Sequence, residues 1–455
     1  MIAHRARRFR EMWAQPHPSA LVSREYLSVH AAAAVRIHRR TLMGRGRGWA
    51  APAVVVANLW ASARWCNGKV DQALAEVEES RMARFTAATG VPIPTQRARL
   101  RTLAVRHSIP PLDAYQLGLL RDGWPKRWAE FVFACEEGWN AAASGQGGQG
   151  QLRLLGDKVQ TSRRLAAAGI ACVEEVLLTP KEWTDAEIDT LVAGWLPLWP
   201  HVHGKRRFGS RGEGAFEITC GDAAVTLPGA PLDCRQVTGE ARDNAGPSGG
   251  KTQPGDAWTL REYQTDSIIA DPMAWLREHL AASEYLIQPR LTSHSMFDDV
   301  ACPSDVVTIR LVTRDVGLGP QLFSVVLEVP LPVRENRQFY VLLRVEPEGF
   351  VTGTVFPEWL RQPSTDDKAA RVGDGDDTRA TPAAIIQNKL QGRQLPEFAS
   401  LADDAVRAHM LFPGLFAVAW DVAVTDAGYV FLEGNGGFGT REPQWVSGGL
   451  LAGPA

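Results

Sequence analysis

Cysteine is scarce in this chain: six residues, at 66, 135, 172, 220, 234 and 302, with no Cys-x-x-Cys spacing among them. Neither a zinc site nor a disulfide framework is indicated by such scatter. Long apolar runs are also lacking. A membrane-spanning helix needs roughly 18 apolar residues, and the nearest stretch, 49–63, is broken by Pro52 and Asn58. Excess charge is missing as well: a net charge of −2 over 455 residues argues against nucleic acid or another bulk polyanion as a partner. Arginines interrupt the first fifteen residues, where a secretory leader has its apolar core, so the expected setting is reducing and cytoplasmic.

The charge that is present is uneven. Residues 1–47 hold ten arginines, among them Arg5, Arg7, Arg8, Arg10, Arg39 and Arg40, against Glu11 and Glu25 alone. Such a run reads as a solvated arm, or as a surface for peripheral membrane association. With 45% hydrophobic and 22% charged residues, the chain has ample material for the cores of two or three domains.

Residues 1–144 read as mainly helical. Helices are expected at 70–82 and 111–120, and Trp128, Phe131, Cys135 and Trp139 recur at spacings of 3, 4 and 4, which would set them on one helix face. The glycine-rich stretch 144–151 reads as a linker. Beyond it, strands alternate with helices in the manner of an α+β chain. Asp157 can cap a helix over 158–168, and Asp271-Pro272 can open another to about 282. Strands are expected at 173–178, 285–288, 306–313, 321–329 and 339–345, and a helix at 397–412. Polar stretches at 228–256 and 360–381 read as long loops.

The most informative stretch is 417–437. Two apolar runs flank Thr-Asp-Ala-Gly, the pattern of an antiparallel hairpin. With the turn centred on Ala427, facing residues sum to 854, so Asp421 opposes Glu433, and Asn435 shares Glu433's face. Directly opposed carboxylates repel. A cation between them is therefore expected, and two carboxylates with an amide oxygen suit Mg²⁺ completed by water and phosphate oxygens. The alternative is a solvated hairpin edge with Asn-Gly as a plain turn.

Other residues bear on the same chemistry. Gly209, Gly212 and Gly214, with Ser210 between them, let backbone N–H groups approach phosphate, although a hairpin turn explains them equally well. Lys205 just upstream could add a cation. Arg310 lies on the strand face opposite Val307, Ile309 and Leu311, pointing either to solvent or toward a phosphoryl group. Residues 245–252, AGPSGGKT, approximate a phosphate-binding loop but lack the preceding strand and following helix that such a loop requires. His201 and His203 alternate on a strand without a third ligand at metal spacing.

Together these pieces resemble the ATP-grasp superfamily and, within it, the sugar-transfer-associated ATP-grasp proteins of glycan and capsule biosynthesis. The likeness runs over 157–435 and rests on DKVQTSRRLAAAGI, KRRFGSRGEG, YLIQPRLTSH, TIRLVT and WDVAVTDAGYVFLEGN. It implies two α+β lobes with a nucleotide cleft between them, 152–283 and 284–450, behind a helical region at 1–144. By the same resemblance Lys158, Lys205 and Gly209 to Gly214 would hold the phosphates of ATP. Backbone around Leu286, Ile287 and Gln288 would meet adenine, and His294 the ribose. Arg310 would act on the transferring phosphoryl group, and Asp421, Glu433 and Asn435 would hold Mg²⁺. The implied activity is an ADP-forming ligase that joins a small-molecule or glycan carboxylate to an amine or thiol through an acyl phosphate. The alternatives are a kinase acting on a hydroxyl, or a non-catalytic ATP-binding scaffold. Arg206 stands where the family usually has proline, and Thr381-Pro382 is the nearest counterpart of its His-Pro element.

Overall fold

The computed structural model describes residues 31–44, 69–220, 258–330, 340–360 and 382–453, apart from 137, 200, 210–212, 264, 266 and 302–305, together with the isolated residues 23, 25, 63 and 65. The loop expected at 228–256, the AGPSGGKT stretch, most of the arginine arm and of the loop expected at 360–381, and Ser210 and Gly212 lie outside the described residues.

The N-terminal region is helical, with α1 (Ala33–Gly44), α2 (Val70–Glu76), α3 (Glu79–Thr89), α4 (Ile93–His107) and α5 (Pro111–Gln116). The expected helix at 70–82 is thus two helices, parted at Val77 and Glu78. The spacing of Trp128, Phe131, Cys135 and Trp139 does not mark a helix. A 3-10 turn over Trp124–Glu130 ends at Phe131, whose backbone is extended, and Gly138 takes a left-handed φ of 77° before the next helix begins. Trp128, Phe131 and Trp139 are still buried. Burial had been legible; the period that accounts for it had not.

The stretch read as a linker is helical too. It lies within α6 (Trp139–Leu155), kinked at Gly145. Tertiary hydrogen bonds override its glycine content: Asn140 Nδ2 donates to the carbonyls of Ala417 and Gly436, and Ser144 Oγ accepts from the Phe416 amide. The helical region also grips the far end of the chain. Tyr115 donates its hydroxyl to the Trp359 carbonyl, and the Trp359 indole donates back to the Tyr115 carbonyl.

Two antiparallel sheets follow. The first orders β1 (Val176–Leu178), β5 (Tyr285–Pro289), β2 (His201–Arg206), β3 (Phe216–Cys220) and β4 (Trp258–Glu262) side by side. One face buries Val202, Phe216, Ile218, Leu260, Tyr285 and Ile287 against α8 (Asp185–Trp195) and α9 (Pro272–Ala282). By the period of two, His203, Lys205, Glu217 and Gln288 occupy the other face. Asp157 caps α7 (Lys158–Ala167), accepting from the Gln160 amide, and Asp271 caps α9 as its sequence signature implies.

The second sheet runs β11 (Gly428–Asn435), β10 (Ala417–Thr425), β6 (Thr308–Asp315), β7 (Pro320–Pro330), β8 (Tyr340–Val345) and β9 (Val351–Thr354). Ile309, Leu311, Leu327, Val418, Trp420 and Val422 form its core face against α10 (Pro382–Leu390) and α11 (Phe398–Met410). The opposite face is divided. Val312, Ala417 and Ala419 lie under Trp139 and Phe438 in an apolar half, and Thr308, Arg310, Glu328, Asp421 and Glu433 make the other half polar.

Candidate active site

The polar halves of the two sheets bound one cleft of about 340 Å³, lined by Lys158, His203, Lys205, Gly209, Gln288, Arg290, Arg310, Glu328, Asp421 and Glu433 among others. The hairpin sets its floor. Asp421 pairs with Glu433, and Trp420 with Gly434, in the register the sequence suggests. The route to that register differs. Thr425 pairs with Gly428, so the turn is centred between Asp426 and Ala427, and a bulge at Leu432 supplies the residue that brings the two carboxylates opposite. The bulge also frees the Leu432 carbonyl, 3.4 Å from Lys205 Nζ.

Glycine is required between Glu433 and Asn435. A Cβ on Gly434 would stand 2.5 Å from the Trp420 ring and 2.6 Å from Leu155. At the opposite wall, Gly214 takes φ +67°, and a Cβ there would meet Arg206 at 2.8 Å and the Tyr285 hydroxyl at 2.9 Å.

Charge in the cleft is closely matched. Arg310 Nε and Nη2 donate to the two oxygens of Asp421 at 2.8 and 3.1 Å, and its Nη1 lies 3.4 Å from Glu328. Asn435 Nδ2 donates to Asp421 at 3.0 Å and to Glu433 at 3.1 Å. Lys158 Nζ sits 3.4 Å from Glu433 and donates at 2.8 Å to the Gly209 carbonyl. Arg207 ties the same glycine turn to the helix cap through Asp157 and to Glu284. The repulsion between Asp421 and Glu433 is therefore offset by the protein's own arginine, lysines and amide. That corrects the expectation that their closeness by itself demands a divalent ion.

Titration follows from this packing. Burial and the charge of Glu433 hold Asp421 above the usual carboxylate range against the pull of Arg310. Burial alone would raise Glu433, but the charges of Lys158 and Lys205 and the Asn435 hydrogen bond bring it below its ordinary value. Desolvation lowers Lys205, helped by Lys158 and opposed by Glu433. Glu328 is pushed up to about 7 by burial, with the Asp421 charge adding to the effect and Arg310 opposing it.

Most of the residues singled out in the sequence meet here: Lys158, Lys205, Gly209, Gln288, Arg310, Asp421 and Glu433 line the cleft, and Asn435 bridges the carboxylates. Gly214 stands behind the wall, against Arg206 and Tyr285. Leu286 and Ile287 are buried in β5. His294 lies at the hairpin tip instead, its amide bonded to the Val424 carbonyl and its ring 3.7 Å from Asp426. Glu328 was missed. It follows the apolar run of β7, and only its strand period, which sets it across from Thr308, marks it as facing the polar side.

Among the described residues no cluster of three His, Cys, Asp or Glu is arranged for a metal ion. The set offered to a divalent cation is two carboxylates and one amide. These fit a hard ion that prefers oxygen, since turning the Asn435 amide about its last torsion would present Oδ1 where Nδ2 now bridges both carboxylates. No described helix is long and apolar enough to cross a membrane.

No family model matches the chain, and no curated protein matches it. Solved structures do. The chain is similar to the ATP-grasp ligase PsnB in complex with its minimal precursor, at 13% identity and a TM-score of 0.31, over 66% of this chain. It spans 57% of the length of PsnB. It is also similar to the D-cycloserine synthetase DcsG, at 14% identity and a TM-score of 0.32, over 72% of this chain and 77% of that one. A third is the D-alanine-D-alanine ligase from Coxiella burnetii, at 11% identity and a TM-score of 0.31, over 74% and 62%. Likenesses this remote carry no argument.

Proposed function

We propose that the cleft binds ATP with Mg²⁺ and that the protein is an ADP-forming ligase joining a carboxylate to an amine. One observation carries the reading. Lys158, at the start of a helix packed on the second sheet, and Lys205 of the first sheet meet Asp421, Glu433, Asn435 and Arg310 of the second sheet in a single cleft. The resemblance of these same residues to the ATP-grasp pattern supports it. A role in glycan or capsule assembly belongs to the narrower resemblance and forms part of the proposal.

In this reading Asp421, Glu433 and the Asn435 amide oxygen hold Mg²⁺. When bound, the ion supplies positive charge beside the β- and γ-phosphates as the γ-phosphoryl group moves. Arg310 and Lys158 then exchange carboxylate partners for phosphate oxygens, and Lys205 faces the same charge from β2. The Lys158 link would hold Gly209 beside the phosphates. Arg310 stabilises the phosphoryl group in transfer and afterwards the oxyanion of the acyl intermediate. Gln288 and the end of β5, which line the same cleft, would receive the nucleotide base.

The experiment is ADP release screened over pairs of carboxylates, including uronic acids and amino acids, with amines. Hydroxylamine serves as a trap. Hydroxamate accompanying ADP is the expected result. ADP release with a phosphorylated hydroxyl and no hydroxamate would mean a kinase.

A further inference from the structure

Glu328 has no part in the reading above, yet it is placed at the reacting end of the cleft. It projects from β7 with its side chain 16% exposed, Nη1 of Arg310 lies 3.4 Å from Oε1, and Thr308 donates to Oε2 at 3.3 Å. Arg310 turns its other two nitrogens to Asp421. One guanidinium is therefore shared between two carboxylates, and Glu442, of the helix α12 (Arg441–Ser447), adds a third negative charge within Coulombic reach of both Arg310 and Glu328. The groups facing Glu328 are Thr308 and Arg310 from β6, Asp421 from β10, Glu442 from α12, and Tyr340 and Arg344 from the paired strand β8, which share its face. Arg344 is paired with Glu346, so negative charge is in excess around Glu328 itself. The ligand that complements it is a cation with a proton to give.

We infer that Glu328 receives the acceptor, binding a protonated primary amine beside Arg310 and taking a proton from it. This rests on the ligase reading. The ammonium gives one proton to the Glu328 carboxylate and becomes a free amine, whose lone pair attacks the carbonyl carbon of the acyl phosphate. The C–N bond forms and the C–O bond to phosphorus breaks, with its electron pair leaving on phosphate. The second proton lost by nitrogen ends on the departing phosphate, and Glu328 returns the first to solvent. A carboxyl that titrates near neutrality both accepts and releases that proton readily. Because Arg310 lies between Glu328 and Asp421, the amine is delivered to the side of the guanidinium away from the Asp421–Glu433 pair.

The test uses Glu328→Gln in the full chain with the carboxylate and amine pairs of the screen. Hydroxylamine is unprotonated at neutral pH and needs no base. Hydroxamate formation is therefore expected to persist, while amide formation falls about 10²- to 10⁴-fold and the acidic limb of its pH profile moves up to the titration of the amine itself. Raising the pH to free the amine should restore part of the rate. Glu328→Asp retains a carboxylate, so should the Gln variant fail to fold, a shifted acidic limb in the Asp variant is the reading. Equal loss of hydroxamate and amide would mean that Glu328 only positions Arg310. An unchanged amide rate and pH profile would mean that it has no role. Either overturns the inference and leaves the ligase reading standing, whereas a wild-type protein that turns over no pair overturns both.

Discussion

Arg310 grips both carboxylate oxygens of Asp421, across adjacent strands that pair these two residues directly. The contact fastens the centre of the second sheet to the hairpin and sets the cleft's charge balance. Removing the guanidinium leaves Asp421 and Glu328 largely buried with their main counter-ion gone. Arg310→Ala should therefore destabilise the protein, at the lower end of the roughly 3–5 kcal/mol typical of breaking a buried pair, because the guanidinium is partly exposed. Urea denaturation of the single and double variants with Asp421→Asn measures it. The double variant should recover part of the loss.

Gly434→Ala tests the hairpin. With Trp420 and Leu155 both closer than 2.7 Å to the added carbon, the strand must shift. The expected cost is about 1–3 kcal/mol for overpacking. Because Glu433 and Asn435 flank it, nucleotide affinity should fall in the same variant, measured by titration at a temperature where it stays folded.

Two histidines in the helical region, both stacked on Trp128, give opposite pH dependences. His38 stacks on the indole at 5.4 Å, and both its ring nitrogens meet acceptors, Glu136 at 2.6 Å and the Ala129 carbonyl at 2.8 Å. Burial works against its charge, but Glu136 outweighs it, and the His38 pKa is raised. Its stabilising contribution is full below the unfolded value of about 6.5 and lost as pH climbs through the raised folded value. His107, stacked on the same indole at 4.3 Å, is lowered to about 4 by burial and by Arg106. Its contribution is present above about 6.5 and lost as pH falls toward 4. Chemical denaturation across pH should show His38→Gln costing most in acid, and His107→Gln costing most at neutral pH and above.

The extent to which this architecture can be read from sequence follows from what each signal encodes. Strand period and burial placed Arg310 opposite its apolar neighbours, and side-chain chemistry flagged Asp421, Glu433 and Asn435. The pairing of Asp421 with Glu433 came out right through two compensating features, a turn centred half a residue earlier and a bulge at Leu432. A bulge leaves no mark in an alternating pattern. The stretch 144–151 reads as a linker by composition, yet it lies in a helix kinked at Gly145 that Asn140 and Ser144 fasten by hydrogen bonds to residues nearly three hundred positions away. Such partners lie outside any local window, as do the arginine and lysines that compensate the carboxylate pair.

Lys158 links the glycine turn to Glu433, so its removal should act on nucleotide binding more than on folding. Lys158→Met is expected to weaken ATP affinity by about tenfold or more, equivalent to one lost charge-assisted hydrogen bond of roughly 1.5–3 kcal/mol. Its melting temperature without ligand should fall only modestly, because Glu433 loses one counter-ion but keeps Lys205 and the Asn435 hydrogen bond. Isothermal titration with ATP and Mg²⁺, set beside a thermal melt of the apo protein, separates the two.

The central claim is that the hairpin carboxylates serve a nucleotide and its divalent ion. Its most direct test is the thermal shift produced by ATP with Mg²⁺, compared with ATP plus a chelator, in the wild-type protein and in Glu433→Gln. A ligand that binds only the folded state must raise its melting temperature. The account predicts a saturable, Mg²⁺-dependent rise in the wild type that disappears in a folded Glu433→Gln. No shift in the wild type, or the same shift in both proteins, would contradict it.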